Sequence, residues 1–121
     1  MEKSLKTMTK EVEEFCKKRN WNHESPNSLI AAILIEMGEL AEHYQWQKEF
    51  KEFTEKEKKE LGYEFVDVLI YFLRLASKSG IDVEKYFYEK LPKLEKKFPV
   101  GKDALKANKE YRENGKNKTY D

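Results

Sequence analysis

Two long apolar stretches, each with a pair of acids inside it, limit what this chain can fold into. In the first, about residues 28–47, Leu29, Ile30, Ile33, Leu34, Ile35, Met37, Leu40 and Ala41 cover nearly every side of a helix. A helix that is apolar all round is a buried one. The second contains Phe65-Val66-Asp67-Val68-Leu69-Ile70-Tyr71-Phe72-Leu73. Its β-branched residues admit a strand, but its flanks argue for a helix. Thr54 with Glu57 three residues later is a capping box, and Gly80 after Ser79 is a natural C′ residue. The roughly 25 residues between these signals exceed any usual strand. Low counts of Gly (5) and Pro (3) point the same way.

The acids are Glu36-x-x-Glu39 and Glu64-x-x-Asp67. Spacing of i, i+3 puts both carboxylates of a pair on one helix face. An unpaired buried carboxylate costs several kcal/mol even after relaxation, so four together need cations. Positions 36 and 67 share their midpoint, 51.5, with positions 39 and 64. An antiparallel hairpin turning near 51 therefore sets Glu36 level with Asp67 and Glu39 level with Glu64. Such an all-oxygen cage suits a hard cation such as Mg²⁺. Di-iron bundles repeat Glu-x-x-His; here His43 follows Glu39 by four residues and no histidine follows Glu64 or Asp67, which disfavours iron. The competing view is that Arg74 and Lys78, on the stripe of Glu64 and Asp67, pair with the acids at the rim of a bundle. One acid pair alone would favour that view; two in symmetric register reverse it. Trp46 extends the stripe of Glu36, Glu39 and His43, and Tyr71 and Arg74 extend the facing one. A cation beside aromatic rings and an arginine suits a nucleotide, while core packing explains Trp46 and Tyr71 equally well.

Around these two helices the pattern predicts two more. Leu5, Met8, Val12, Phe15 and Cys16 recur at helical spacing over about residues 2–20. Residues 20–28 break that helix, with Asn27 or Ser28 available to cap the next. Asp82 can cap a fourth helix over about 82–97, in which Val83, Tyr86, Phe87, Leu91 and Leu94 face inward and Pro92 should kink or split the helix. The expected fold is an all-α four-helix bundle over residues 1–100. The polar tail at 101–121 would be disordered or lie on a partner. At 121 residues and 14.5 kDa the chain supports one domain. Lys+Arg 24 against Asp+Glu 23 leaves +1, which excludes a strongly basic nucleic-acid binder. The single cysteine, Cys16, excludes an internal disulfide and a cysteine zinc site and reads as a core residue. No leader-like N-terminus and no run of about 18 apolar residues is present, so the expectation is a cytoplasmic protein without a membrane partner. Two helices apolar on more than one face also predict an oligomer.

The wording around the acids resembles the MazG-like, all-α nucleoside triphosphate pyrophosphohydrolases, and within them the dCTP pyrophosphatase branch. Arg19-Asn20-Trp21, Glu36-Met37-Gly38-Glu39-Leu40-Ala41-Glu42, Gln45-Trp46 and Glu64-Phe65-Val66-Asp67-Val68-Leu69-Ile70-Tyr71 carry the likeness, which runs from about residue 5 to Pro99. The resemblance implies a four-helix core in a homodimer or homotetramer. It implies Mg²⁺, with Mn²⁺ as a substitute, on Glu36, Glu39, Glu64 and Asp67. It also implies hydrolysis of a (deoxy)nucleoside triphosphate, dCTP-like or modified, to the monophosphate and pyrophosphate, in housecleaning of the nucleotide pool. Trp21, Trp46 and Tyr71, with His23 as a weaker candidate, would line the base and sugar pocket. Lys90 and Lys93 would reach the phosphates, and Glu36 or Glu39 would take the proton from the attacking water. Leu94 stands where the family often has an asparagine, a departure that bears on base or sugar selectivity. The alternatives are a dUTPase-like or phosphoribosyl-ATP pyrophosphohydrolase-like enzyme of the same fold, or a non-catalytic nucleotide- or metal-binding module. The two tryptophans argue against the phosphoribosyl-ATP type, and the intact set of four acids argues against the module.

Overall fold

The computed structural model describes residues 3–101 together with Lys109 and Arg112. Among them the chain is helical throughout, with α1 (Leu5–Lys18), α2 (Pro26–Glu42), α3 (Glu55–Lys78) and α4 (Val83–Lys97), and no strand. The chain divides into two units, one ending at Asp82 and one starting at Val83. In the first, α3 packs against both α1 and α2. The expected tail falls outside the described residues, apart from Gly101, Lys109 and Arg112.

Local chemistry accounts for each boundary. The side chain of Ser4 caps α1 by accepting from the Thr7 amide at 3.1 Å. Helix α2 starts earlier than the Asn27 or Ser28 cap of the sequence reading: Ser25 is the cap, accepting from the Ser28 amide at 3.2 Å, with Pro26 behind it. Proline is preorganised for the first helical position, where it has no amide to lose. The same helix ends at Glu42, short of the expected 47, so Trp46 sits in the turn that follows and not on the helical stripe. At α3 the capping box is complete: the Thr54 amide donates to Glu57 Oε1 at 3.0 Å and the Glu57 amide donates to Thr54 Oγ1 at 3.2 Å. Its far end closes on Gly80 at φ 71°. There the Gly80 amide donates to the Ser77 carbonyl at 3.0 Å and that of Ile81 to Ala76 at 2.9 Å, the paired bonds of a Schellman ending. Helix α4 runs unbroken through Pro92. The carbonyl that loses its partner belongs to Tyr88, on an exposed turn where water can replace the bond.

The α3 cap sets one expected result. The Thr54 backbone amide, then Lys51, holds the Glu57 carboxyl below its usual range. A lowered carboxylate stabilises the fold above its ordinary pKa, and that contribution is lost as pH falls through the lowered value. Thr54→Ala should cost about 1 kcal/mol. Glu57→Gln should flatten the acid limb of a melting-temperature profile in that window.

The core is thin for a chain of this length. The buried hydrophobic residues among those described are Cys16, Leu29, Leu40, Leu61 and Leu73, of which Leu29 and Leu73 are fully buried. Contrary to the expectation of burial all round, α2 covers only one edge within its own chain: Leu34 is 66% and Ile35 62% exposed. Packing against α3 shields one face of α2, and no second layer of the first unit covers the other. The stripe of α4 expected to face inward is likewise open at Tyr86, Phe87 and Leu91, and α4 buries no residue.

Candidate active site

Helices α2 and α3 run antiparallel, since His43 near the end of α2 meets Glu64 early in α3 while Arg74 late in α3 meets Glu24 before α2. This arrangement brings carboxylate oxygens of Glu36, Glu64 and Asp67 within 4.8 Å of one another. Glu36 and Glu64 are partly buried and Asp67 is exposed. One oxygen of Glu36 and one of Glu64 are buried and receive no hydrogen bond from the described residues. The Glu36 carboxyl is held above the usual carboxylate range, by burial first and then by Glu39 through its charge and a shared hydrogen bond. The charges of Asp67 and Glu64 add to that effect. The fourth acid, Glu39, is exposed and stands outside the group of three, next to Glu36. His43 Nε2 lies 3.6 Å from Glu64 Oε1.

The two cations expected at these acids, Arg74 and Lys78, are engaged elsewhere. Arg74, 8% exposed, forms an ion pair with Glu24, and its Nη2 donates to the Trp21 carbonyl at 2.8 Å. Lys78 Nζ donates to the carbonyls of Asn22 at 2.6 Å and Glu24 at 3.1 Å. The view that Arg74 and Lys78 hold the acid pairs at a bundle rim is therefore corrected. Their backbone partners and Glu24 gave no periodic signal in the sequence. A buried arginine needs an acid, and Glu24, in a loop, was the only hint available. What remains is an all-oxygen group with orphaned buried lone pairs, which suits a hard divalent cation.

Beside it, between α1 and α3, a cleft of about 570 Å³ is lined by Phe15, Trp21, Ile70, Tyr71, Arg74 and, at the junction with the acids, Asp67. Trp21 is placed there by the end of α1. Asn20 takes the left-handed conformation at φ 58°, its amide donates to the Lys17 carbonyl at 3.1 Å, and the Trp21 amide donates to Cys16 at 2.8 Å. This is a Schellman ending with asparagine in the glycine position, and the accompanying hydrophobic contact is Trp21 edge-on to Phe15 at 5.8 Å. Tyr71 lies on α3 one turn after Asp67, with the Arg74 guanidinium 5.3 Å from its ring centre. His23 is exposed and shares a 2.8 Å hydrogen bond with Asn20. Trp46, 86% exposed, is not part of the cleft. Cys16 is buried at the cleft floor, as a core residue would be. Lys90 and Lys93 belong to the second unit, on α4, where they line a groove with Tyr86 and Glu89.

Comparison with known proteins gives a family and named relatives. A sequence model of the MazG-like family matches residues 31–113. The dCTP pyrophosphatase 1 of Rattus norvegicus is 33% identical over 92 residues, covering 72% of this chain and 54% of the relative. That of Homo sapiens is 30% identical over the same length, with the same coverage. The chain thus spans about half the length of the curated relatives it matches.

Proposed function

The chain belongs to the MazG-like family, and from that premise we propose that it hydrolyses a (deoxy)nucleoside triphosphate between the α- and β-phosphates, giving the monophosphate and pyrophosphate. One observation carries this reading: Asp67 is shared by the carboxylate group and by an aromatic-lined cleft large enough for a nucleoside. The substrate class is dCTP-like, in line with the names of the relatives, or modified, as the family resemblance implies. Glu36, Glu64 and Asp67 would hold Mg²⁺, or Mn²⁺ in its place, and the orphaned oxygens of Glu36 and Glu64 fit that role. Bound there, the ion would supply charge neutralisation for the phosphates.

The remaining steps belong to the chain's own side chains. Glu39 sits beside the group without being part of it, which favours it over Glu36 as the carboxylate that takes a proton from water attacking the α-phosphorus. Trp21 and Tyr71 would stack on or flank the nucleoside. Lys90 and Lys93 are assigned to the phosphates on the family resemblance alone, as His23 is to the pocket rim. Leu94, in place of the family asparagine, leaves the nucleoside without that amide.

The deciding experiment is a panel of canonical and modified nucleotides with Mg²⁺, reading pyrophosphate against orthophosphate. Pyrophosphate and monophosphate are the expected products, and EDTA should stop their release. Orthophosphate as the first product would sink α–β cleavage. Tight nucleotide binding without any product would favour the non-catalytic module.

No described helix is long and apolar enough to cross a membrane. The open face of α2 and the exposed Phe65 and Phe72 of α3 are proposed as subunit contacts. Exposed apolar surface of that extent marks an interface. Light scattering should report a dimer or tetramer at micromolar concentration. Leu34→Lys should weaken that assembly, whereas a stable, active monomer would refute it.

A further inference from the structure

Arg74 is the one buried charged residue among those described, and nothing in the carboxylate chemistry uses it. It sits on α3 two turns beyond Asp67 and points away from the acids, toward the loop between α1 and α2. Three contacts converge on its guanidinium: the Trp21 carbonyl at 2.8 Å, the Glu24 carboxylate, and the face of Tyr71 at 5.3 Å. One helical turn later Lys78 grips the same loop through the carbonyls of Asn22 and Glu24. Trp21 is thus tied at its backbone from α3, while its ring meets Phe15 on α1. Both aromatic walls of the cleft, Trp21 and Tyr71, touch a single cation. A planar guanidinium satisfies a carbonyl, a carboxylate and a ring at once, and a lysine ammonium does not.

We propose that Arg74 is a positioning residue that sets the width of the cleft by holding Trp21 against α1 and Tyr71 on α3, and so governs nucleoside binding without contributing to the carboxylate group. The inference rests on the nucleotide reading of the cleft. It predicts a separation of effects. Arg74→Met should raise KM about tenfold or more, since small displacements of positioning groups have large effects. Because the acids are untouched, kcat should stay within about threefold, which is the mark of lost binding shared by ground and transition states. Mn²⁺ affinity, read by electron paramagnetic resonance, should not change.

The test pairs kinetics with two readouts that need no turnover. Amide exchange across residues 21–24 should quicken in Arg74→Met while α3 stays protected. In a Trp46→Phe background, where Trp21 is the remaining tryptophan, Arg74→Met should red-shift its emission and weaken quenching by dCTP with Ca²⁺. Arg74→Lys should recover only part of the lost KM, and Glu24→Gln should shift KM in the same direction by less. If Arg74→Met does not fold, Glu24→Gln and Lys78→Met carry the same readouts from the solvent side of the clamp. An active wild type whose Arg74 and Glu24 variants keep KM and loop exchange overturns the inference. So does a fall in kcat and Mn²⁺ affinity in step with KM. A wild type that neither binds nor hydrolyses any nucleotide overturns the functional reading instead, and with it the ligand assigned to this cleft.

Discussion

Asp67→Asn should lower turnover by about 10²-fold or more with helical content unchanged, because it removes one of the carboxylates proposed to hold the cation that neutralises the reacting phosphates. The residue is exposed and shared by the acid group and the cleft, so its loss leaves no cavity and no stranded partner. The same variant should lose the thermal stabilisation that Mg²⁺ gives the parent. A ligand bound only by the native state adds about 2.7 kcal/mol at a hundred times its Kd. Glu39→Gln separates the roles. It too should abolish turnover, but as a carboxylate outside the group of three it should leave Mg²⁺ stabilisation in place. Identical melting of the parent in Mg²⁺ and in EDTA would count heavily against a cation on these acids. Near-parental turnover by either variant would remove that residue from the chemistry.

Trp21→Ala should weaken nucleotide binding by roughly 1–3 kcal/mol, the worth of one stacked base, and leave Mg²⁺ binding intact. Trp21 is 51% exposed and leans on Phe15, so a small loss of stability should accompany the change. Trp46→Ala should show no such loss, because Trp46 is 86% exposed among the described residues. The family resemblance extends its expected effect to nucleotide binding, although its ring lies outside the cleft. Titrations with dCTP and Ca²⁺, followed by fluorescence and by calorimetry, measure both variants. Unfolding of Trp46→Ala would contradict the exposure seen here, and unchanged nucleotide affinity would take Trp46 out of the pocket.

The 86% exposure of Trp46 speaks against core packing, and its placement on the stripe of the acids fails for a local reason. Four more residues of helix were needed to keep it on the stripe of Glu36 and Glu39, and α2 ends at Glu42. Periodicity predicts which residues share a face only while the helix lasts. At Ser25-Pro26 the cap was legible in principle, since serine before proline is a strong start signal, but the cluster of polar residues there offered several candidates. Thr54 and Glu57 offered one, and the capping box formed.

The amino-acid order by itself determined that the chain is helical, where α3 begins and ends, and that the acids of α2 and α3 face each other. These are consequences of short-range chemistry and of one turn that makes the hairpin antiparallel. Only the tertiary structure decided how the four acids divide, with Glu36, Glu64 and Asp67 grouped and Glu39 beside them. A matched midpoint specifies level, whereas helix rotation and side-chain reach specify contact. Tertiary structure alone also decided the fate of Arg74. Its place on the stripe of Asp67 and Tyr71 suggested service to the acids, yet its partners lie 50 and 53 residues away in a loop. No pattern of period 3.6 extends across a loop, and a buried guanidinium goes to whatever carbonyl and carboxylate the packing of α1 on α3 brings within reach.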